Sequence, residues 1–308
     1  MSSDASTSKR SAHGLRPWLH RQKRGLINFP ENARREWRML SWVARERRLL
    51  SQARARHEAS YRTFDNPLVS IPMATYNRGQ ILVERTLPSV FEQTCQNFEI
   101  IVVGDGCPDD TPQRMSKITD PRVRFHLLAE RGQYPENPFQ RWQVAGCVPG
   151  NKGLEMVRGQ WIAYIDDDDL WTPDHLEVML AHAYETNAEL VHALSDVEDK
   201  PGQWRIYGEP DFPTGRHPYK GRGQPHSAVM YRSYLNFFRY DPKSYEIDRC
   251  TDYWMWHRMA RAGVRTVHLP QLVASQPLRP NETLPSPHAF GHARPKNLAM
   301  QARLQNVK

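Results

Sequence analysis

Short apolar runs recur from Pro67 onward, separated by segments with helical spacing. "LVSIPMA" (68–74) reads as a buried strand and 80–93 as a helix. "FEIIVVGDG" (98–106) predicts a second strand ending in a turn, and "RVRFHLL" (122–128) a third at a sheet edge. "NKGLEMVRG" (151–159) predicts a helix stopped by Gly159, and "WIAYI" (161–165) the next strand. Thr172-Pro173 opens a helix to about Glu185, with Pro in the first turn, where its missing N–H costs nothing. "ELVHAL" (189–194) is another strand, and the pattern then loosens to about 225 through Pro, Gly and aromatic residues. A helix over 252–262 places Met255, Trp256 and Met259 on one face, with Thr251 as N-cap and Gly263 as its end. "VRTVHL" (264–269) is a final strand. Strands alternating with helices imply βαβ units, hence an α/β fold with a doubly wound, mostly parallel sheet flanked by helices.

Upstream, Asn28 and Glu31 have the spacing of a capping box. An Arg-rich run then continues to about Arg62, with Trp37, Leu40, Val43, Leu49, Leu50 and Ala53 at helical spacing, as one long helix or two shorter ones. Residues 1–25 are polar and basic and expected to be mobile; the tail 277–308 reads as a surface excursion. Residues 1–66 carry 15 Lys/Arg against 6 Asp/Glu, and the remaining residues 27 against 28. The basicity therefore belongs to a helical N-terminal extension, and no nucleic-acid partner is expected for the body. The extension suits peripheral membrane contact or oligomer formation through residues 28–62, with packing or oligomer formation ahead. No apolar run reaches the roughly 20 residues of a membrane span, and the four scattered cysteines show no metal spacing. A cytoplasmic location is expected, with possible peripheral contact at the inner face of a membrane.

The run "YIDDDDLW" (164–171) delivers four aspartates from an apolar strand. Extended geometry would point Asp166 and Asp168 one way and Asp167 the other. A hard cation would neutralise them, since Mg²⁺ is commonly held by one or two carboxylates plus substrate phosphates. The competing reading is a solvated acidic turn. The apolar strand before the run and the polar groups at other strand ends, "TYNR" (75–78), "GDG" (104–106) and "CVPGNKG" (147–153), favour a site. In such sheets the ligand crevice lies beyond the carboxyl ends of the strands.

Residues 67–111, followed by "NKGLEMVRGQWIAYIDDDDLWTPDHLEVML" and later "TDYWMWHRMARAG" (251–263), resemble glycosyltransferase family 2. The resemblance implies a GT-A-like fold and an inverting, metal-dependent glycosyltransferase using Mn²⁺ or Mg²⁺. It divides 67–276 into a nucleotide-binding half (67–170) and an acceptor half (171–276). It assigns Thr75, Tyr76, Asn77 and Asp105 to the nucleoside, and Asn151 and Lys152 to the donor approach. The metal motif falls on Asp166 and Asp168, with Asp167 able to share the role, and the general base on Asp252. The implied donor is UDP-linked first, GDP- or dTDP-linked otherwise, and the acceptor a glycan or lipid-linked hydroxyl.

The chain departs from the family pattern at Gly104, where an Asp is usual, and at Thr251, where a Glu is usual. For single residues the bland readings are a solvated Lys152, an Asp252 that only complements its helix dipole, a structural ion pair for Arg258 and a core Trp256. His226 and Ser227 lie in the segment that shapes the acceptor pocket in this family. Two competing functions remain: a GT-A-fold binding or scaffold protein without turnover, and, last, a nucleic-acid binder acting through the basic extension.

Overall fold

The computed structural model describes residues 29–61, 66–208, 210 and 223–278; over 29–40 only the side chains of Trp37 and Leu40 are included. The Asn28 cap, the 1–25 arm and the tail beyond Leu278 lie outside the described residues. The Arg-rich run is one helix, α1 (Phe29–His57). A compact unit begins at Glu46, ahead of Pro67. The last turns of α1 share its core, with Leu50 and Ala53 in one cluster with Leu154, Trp256 and Met259. Glu46, Leu50 and Ala53 form the buried stripe. Trp37 and Leu40, farther upstream, are exposed. Arg54 donates to both carboxylate oxygens of Glu189 at 2.7 and 2.6 Å, so part of the basic run is engaged in pairing.

The chain continues through β1 (Val69–Thr75), a helix α2 over 79–91 with a π turn at Leu82–Thr86, and β2 (Phe98–Gly104). Next come α3 (Thr111–Met115), β3 (Val123–Leu127), α4 (Pro138–Val144), α5 (Cys147–Glu155) and β4 (Trp161–Ala163). The second half holds β5 (Leu170–Trp171), α6 (His175–Glu185), β6 (Leu190–Lys200), β7 (Gln203–Tyr207), β8 (Val229–Arg232), α7 (Thr251–Ala262) and β9 (Thr266–Gln276). These strands form one sheet in the order β3-β2-β1-β4-β8-β6-β9-β5, with β7 on β6. Pairing is parallel from β3 to β4 and between β6 and β9; β8 joins the two regions antiparallel to both β4 and β6.

Alternation along β4 explains the layers. Trp161, Ala163 and Ile165 face a core built with Leu82, Leu87, Leu176 and Met179. Ile162 and Tyr164 face the other, with Leu154, Met255 and Trp256. Pro72 stands inside β1 and has no N–H to donate. The ladder between β1 and β4 stops before it, at Ser70 and Ile162. Since β2 lies on one side of β1 and β4 on the other, the sheet changes winding direction where that ladder opens. That is where α/β sheets form ligand crevices.

Several sequence-based expectations shift. The helix predicted over 151–159 runs from Cys147 to Glu155, because Gly146, at φ 78°, sets its start. Gly159 is not its stop; a Cβ there would lie 2.5 Å from the Leu68 carbonyl, so glycine permits the close pass beside β1. Thr251 is the first helical residue of α7 rather than its cap, and its hydroxyl donates to the Asp241 carbonyl. β5, β8, α3 and α4 escape prediction because each is too short to show a period.

His175 is fully buried, its ring stacked 3.9 Å from that of Trp171. Its Nδ1–H donates to the Val273 carbonyl at 2.9 Å. Burial pushes its pKa down to about 3. An unfolded histidine takes its proton near 6.5, so below about 6.5 the unfolded chain binds more protons and stability falls with pH. The melting temperature should drop from pH 7 to pH 4, with a shallower slope in His175→Gln.

Candidate functional site at the strand ends

Residues from β1, β2 and β4 meet beyond their carboxyl ends. The β1–β2 register runs from Val69↔Phe98 to Thr75↔Gly104. It continues one step, with the Asp105 N–H donating to the Thr75 carbonyl at 2.9 Å. Thr75 is buried, Tyr76 half-buried, and Asn77 exposed with a positive φ of 55°. Asn tolerates that left-handed backbone better than most residues.

Asp105 is buried and both its carboxylate oxygens are engaged. One accepts from the Gly132 N–H at 2.9 Å, the other from the Tyr134 hydroxyl at 2.6 Å. Asp105 thus holds the loop after β3 against the crevice. The Arg131 guanidinium from that loop lies over the Tyr76 ring, 3.8 Å from its centroid. The sequence did not mark Arg131 or Tyr134 as part of the site, because only folding brings this loop back to β1 and β2.

The aspartate run is a turn. The Asp169 N–H donates to the Asp166 carbonyl at 3.2 Å, so the alternation of an extended strand does not apply. Asp167 and Asp168, expected on opposite sides, both face Arg78, whose Nη1 lies 2.8 Å from Asp167 and 3.2 Å from Asp168. Arg85 adds a hydrogen bond to the Asp168 carbonyl. Burial pushes the Asp167 pKa up to about 6 despite the facing Arg78, and the neighbouring Asp168 adds to the rise. Arg78 is the residue most underread in the sequence; an Arg shortly after a strand end was the available signal.

Asp166 points elsewhere. Its carboxylate, 49% exposed, pairs with His226 Nδ1 at 3.0 Å. His226 Nε2 meets the Tyr240 hydroxyl at 2.8 Å. Asp166 and Asp168 therefore do not share one face as the strand geometry implied. Ser227 ties the turn from behind: it accepts from the Asp166 N–H at 3.0 Å and donates to the Asp169 carboxylate at 2.5 Å. Ser227→Ala would leave that buried carboxylate short of a donor, a loss of about 1–3 kcal/mol. Urea unfolding of the variant measures it.

Burial works against charging His226, yet Asp166 and, further off, Asp252 raise its pKa above the usual value. Asp252 also contributes to the upward shifts of Tyr207 and Tyr240, where burial is the larger cause. The Asp252 charge is therefore felt by His226, the partner of Asp166. It sits in the first turn of α7, half-buried, and accepts from the Tyr253 N–H at 2.7 Å. Trp256 and Arg258 are buried; Arg258 pairs with Glu46, and Trp256 packs beside Tyr164.

Asn151 and Lys152 are not at a helix start. Both lie inside α5. The Asn151 side chain donates to the Tyr240 carbonyl and accepts from its N–H, at 2.9 Å each, which anchors the residue that meets His226. Lys152 pairs with Glu155 at 3.2 Å on the surface.

Among the described residues no group of three or more His, Cys, Asp or Glu is arranged to hold a metal ion. The half-exposed Asp166 carboxylate, beside the Asp167–Asp168 pair, fits a cation that brings most of its own ligands as phosphate oxygens and water. It does not fit a cage made of protein ligands.

The family profile described as "Glycosyl transferase family 2" matches residues 150–252, and that described as "Glycosyltransferase like family 2" matches residues 69–200. WcaA of Escherichia coli K12, named for colanic acid biosynthesis, is 32% identical over 47% of this chain and 47% of its own length. The Escherichia coli UDP-Glc:alpha-D-GlcNAc-diphosphoundecaprenol beta-1,3-glucosyltransferase WfgD is 26% identical over 62% of this chain and 69% of its own. Against the first curated relatives the chain spans about half their length or less. The solved structure of S. aureus TarS 1-349 in complex with UDP-GlcNAc aligns with a TM-score of 0.53 and 16% identity, over 73% of this chain and 61% of that one. That likeness is one of fold. Among the described residues no helix is long and apolar enough to cross a membrane.

Proposed function

We propose that this chain, which two family 2 glycosyltransferase profiles match over 150–252 and 69–200, transfers a sugar from a nucleotide-sugar donor to a hydroxyl of a glycan or lipid-linked acceptor. The transfer inverts the anomeric centre and uses a divalent cation. The observation that carries this reading is the convergence of Asp166, His226 and Asp252 beyond the strand ends, beside the crevice where the β1–β4 ladder opens. UDP-linked sugars come first as donors, because WfgD is named for UDP-Glc.

Asp252 takes the proton of the acceptor hydroxyl as its oxygen attacks the anomeric carbon from the face opposite the diphosphate. One C–O bond forms, the bond to the diphosphate breaks, and the nucleoside diphosphate leaves. Mg²⁺ or Mn²⁺, which Asp166 would hold together with phosphate oxygens of the donor, would neutralise the charge developing on that leaving group. Arg78 balances Asp167 and Asp168 and keeps the turn folded. His226 and Ser227 fix the direction of Asp166. Thr75, Tyr76 and Asn77 line the nucleoside end, and Asp105 contributes chiefly by holding the Gly132–Tyr134 loop.

A thermal-shift panel of UDP, GDP, dTDP and CDP, each with and without Mn²⁺, tests the reading. Ligand at 100 times its Kd stabilises by about 2.7 kcal/mol. The expected result is a shift with UDP that requires the metal and is lost in Asp166→Ala. If none of the four nucleotides moves the melting temperature under either condition, the nucleotide-sugar reading fails and a binding or scaffold role replaces it.

A further inference from the structure

The loop after β3 and the short helix α4 form a second concavity, which borders the strand-end site through Arg131 and Tyr134. Arg131, Gly132, Tyr134, Pro135, Glu136 and Arg141 line a cavity of about 300 Å³. That volume is at the low end for small-molecule sites, about 300–1,000 Å³, and suits one sugar unit rather than a nucleotide sugar. The lining holds two guanidiniums and a single carboxylate, that of Glu136. Neither arginine has an ion-pair partner among the described residues. Arg141 donates to the Glu136 carbonyl at 2.7 Å, and Arg131 rests on Tyr76 and Tyr134. By contrast Arg78, Arg122, Arg124 and Arg158 are each paired with a carboxylate.

Next to the cavity, on α4, Phe139 is 56% exposed, its ring 5.8 Å from that of Trp142. An exposed aromatic face beside unpaired guanidiniums matches a pyranose that carries an acid group: the ring's C–H face stacks, and the arginines meet the oxyanion. The concavity is also built into the site at both ends. Tyr134 and Gly132 are bonded to Asp105. Gln143, on α4, donates to Asp248 at 2.8 Å, just ahead of the helix that carries Asp252.

Resting on the glycosyltransferase reading, we propose that this cavity is an acceptor subsite for an anionic saccharide unit, held by Arg141 and Arg131 with Phe139 as the stacking platform. The oxyanion is a sugar carboxylate or a sugar phosphate.

The test is direct binding by calorimetry to the full chain, without turnover. The probes are p-nitrophenyl β-D-glucuronide, p-nitrophenyl β-D-glucoside and glucose 1-phosphate. Binding of at least one anionic probe should exceed that of the neutral glucoside by about tenfold or more. It should weaken by a similar factor in Arg141→Gln and Phe139→Ser and fall with added salt. Preference for the glucuronide assigns a carboxylate, preference for glucose 1-phosphate a phosphate. Equal binding of charged and neutral probes, no binding, or unchanged binding in Arg141→Gln overturns the proposal. So does loss of UDP binding in Arg141→Gln, which would put that arginine on the donor. A UDP shift retained in wild type while all saccharides fail to bind would sink this subsite and leave the transferase reading standing.

Discussion

Asp252→Asn is expected to lower sugar transfer by roughly 10²- to 10⁴-fold, the usual contribution of a positioned general base, with nucleotide binding unchanged. The amide keeps the size of the carboxylate and can still accept the hydrogen bond from the Tyr253 N–H. Helix α7 should therefore stay folded, and only the ability to take a proton is removed. The substitution also deletes a charge felt by His226 and Tyr240. Asp166 remains as the nearer carboxylate of His226, so the donor side should persist. Transfer assays with UDP-sugars, run beside the UDP thermal shift, separate the two effects. Turnover close to wild type would remove Asp252 from the mechanism. Loss of both transfer and UDP binding would make it a structural residue of the donor site instead.

The largest stability effect is expected farther along the same helix. Arg258 is fully buried, pairs with Glu46 and also donates to the Arg239 carbonyl. Removing one partner of such a pair leaves an uncompensated buried charge, and Glu46→Gln or Arg258→Met should each cost about 3–5 kcal/mol. For a domain of this size that corresponds to a fall in melting temperature on the order of 10 °C. Replacing both by methionine should recover most of the loss, because the stripe of Glu46, Leu50 and Ala53 then becomes wholly apolar. Melting curves of the two single variants and the double variant measure the coupling. Additive losses would mean the pair does not interact as the geometry implies.

Both outcomes bear on the Arg-rich run. By composition it reads as an extension, whereas its last turns form part of the body. Arg54 holds Glu189, which also accepts from Tyr234 and from the Arg265 N–H. A carboxylate buried at the head of β6 is satisfied by an arginine from far upstream in the chain. No local pattern could have paired them.

What the sequence determined by itself is local and periodic. Short, nearly continuous apolar runs specified β1, β2 and β4, because a strand buried on both faces needs apolar side chains at nearly every position. The 3.6-residue spacing specified α6 and α7, and Gly263, at φ 96°, ended α7 as read. The order of these segments with their polar ends sufficed for the fold class and for the resemblance to family 2 glycosyltransferases. The tertiary structure alone decided which groups meet. The aspartate run closes into a turn because Arg78, His226 and Ser227, from two distant segments, supply partners to the four adjacent carboxylates, and Arg85 holds the Asp168 carbonyl. Asn151 became a clamp on Tyr240, and Asp105 the anchor of a loop, for the same reason. A polar side chain's role depends on which partner lies within about 3 Å of it, and that distance is set by folding rather than by spacing along the chain.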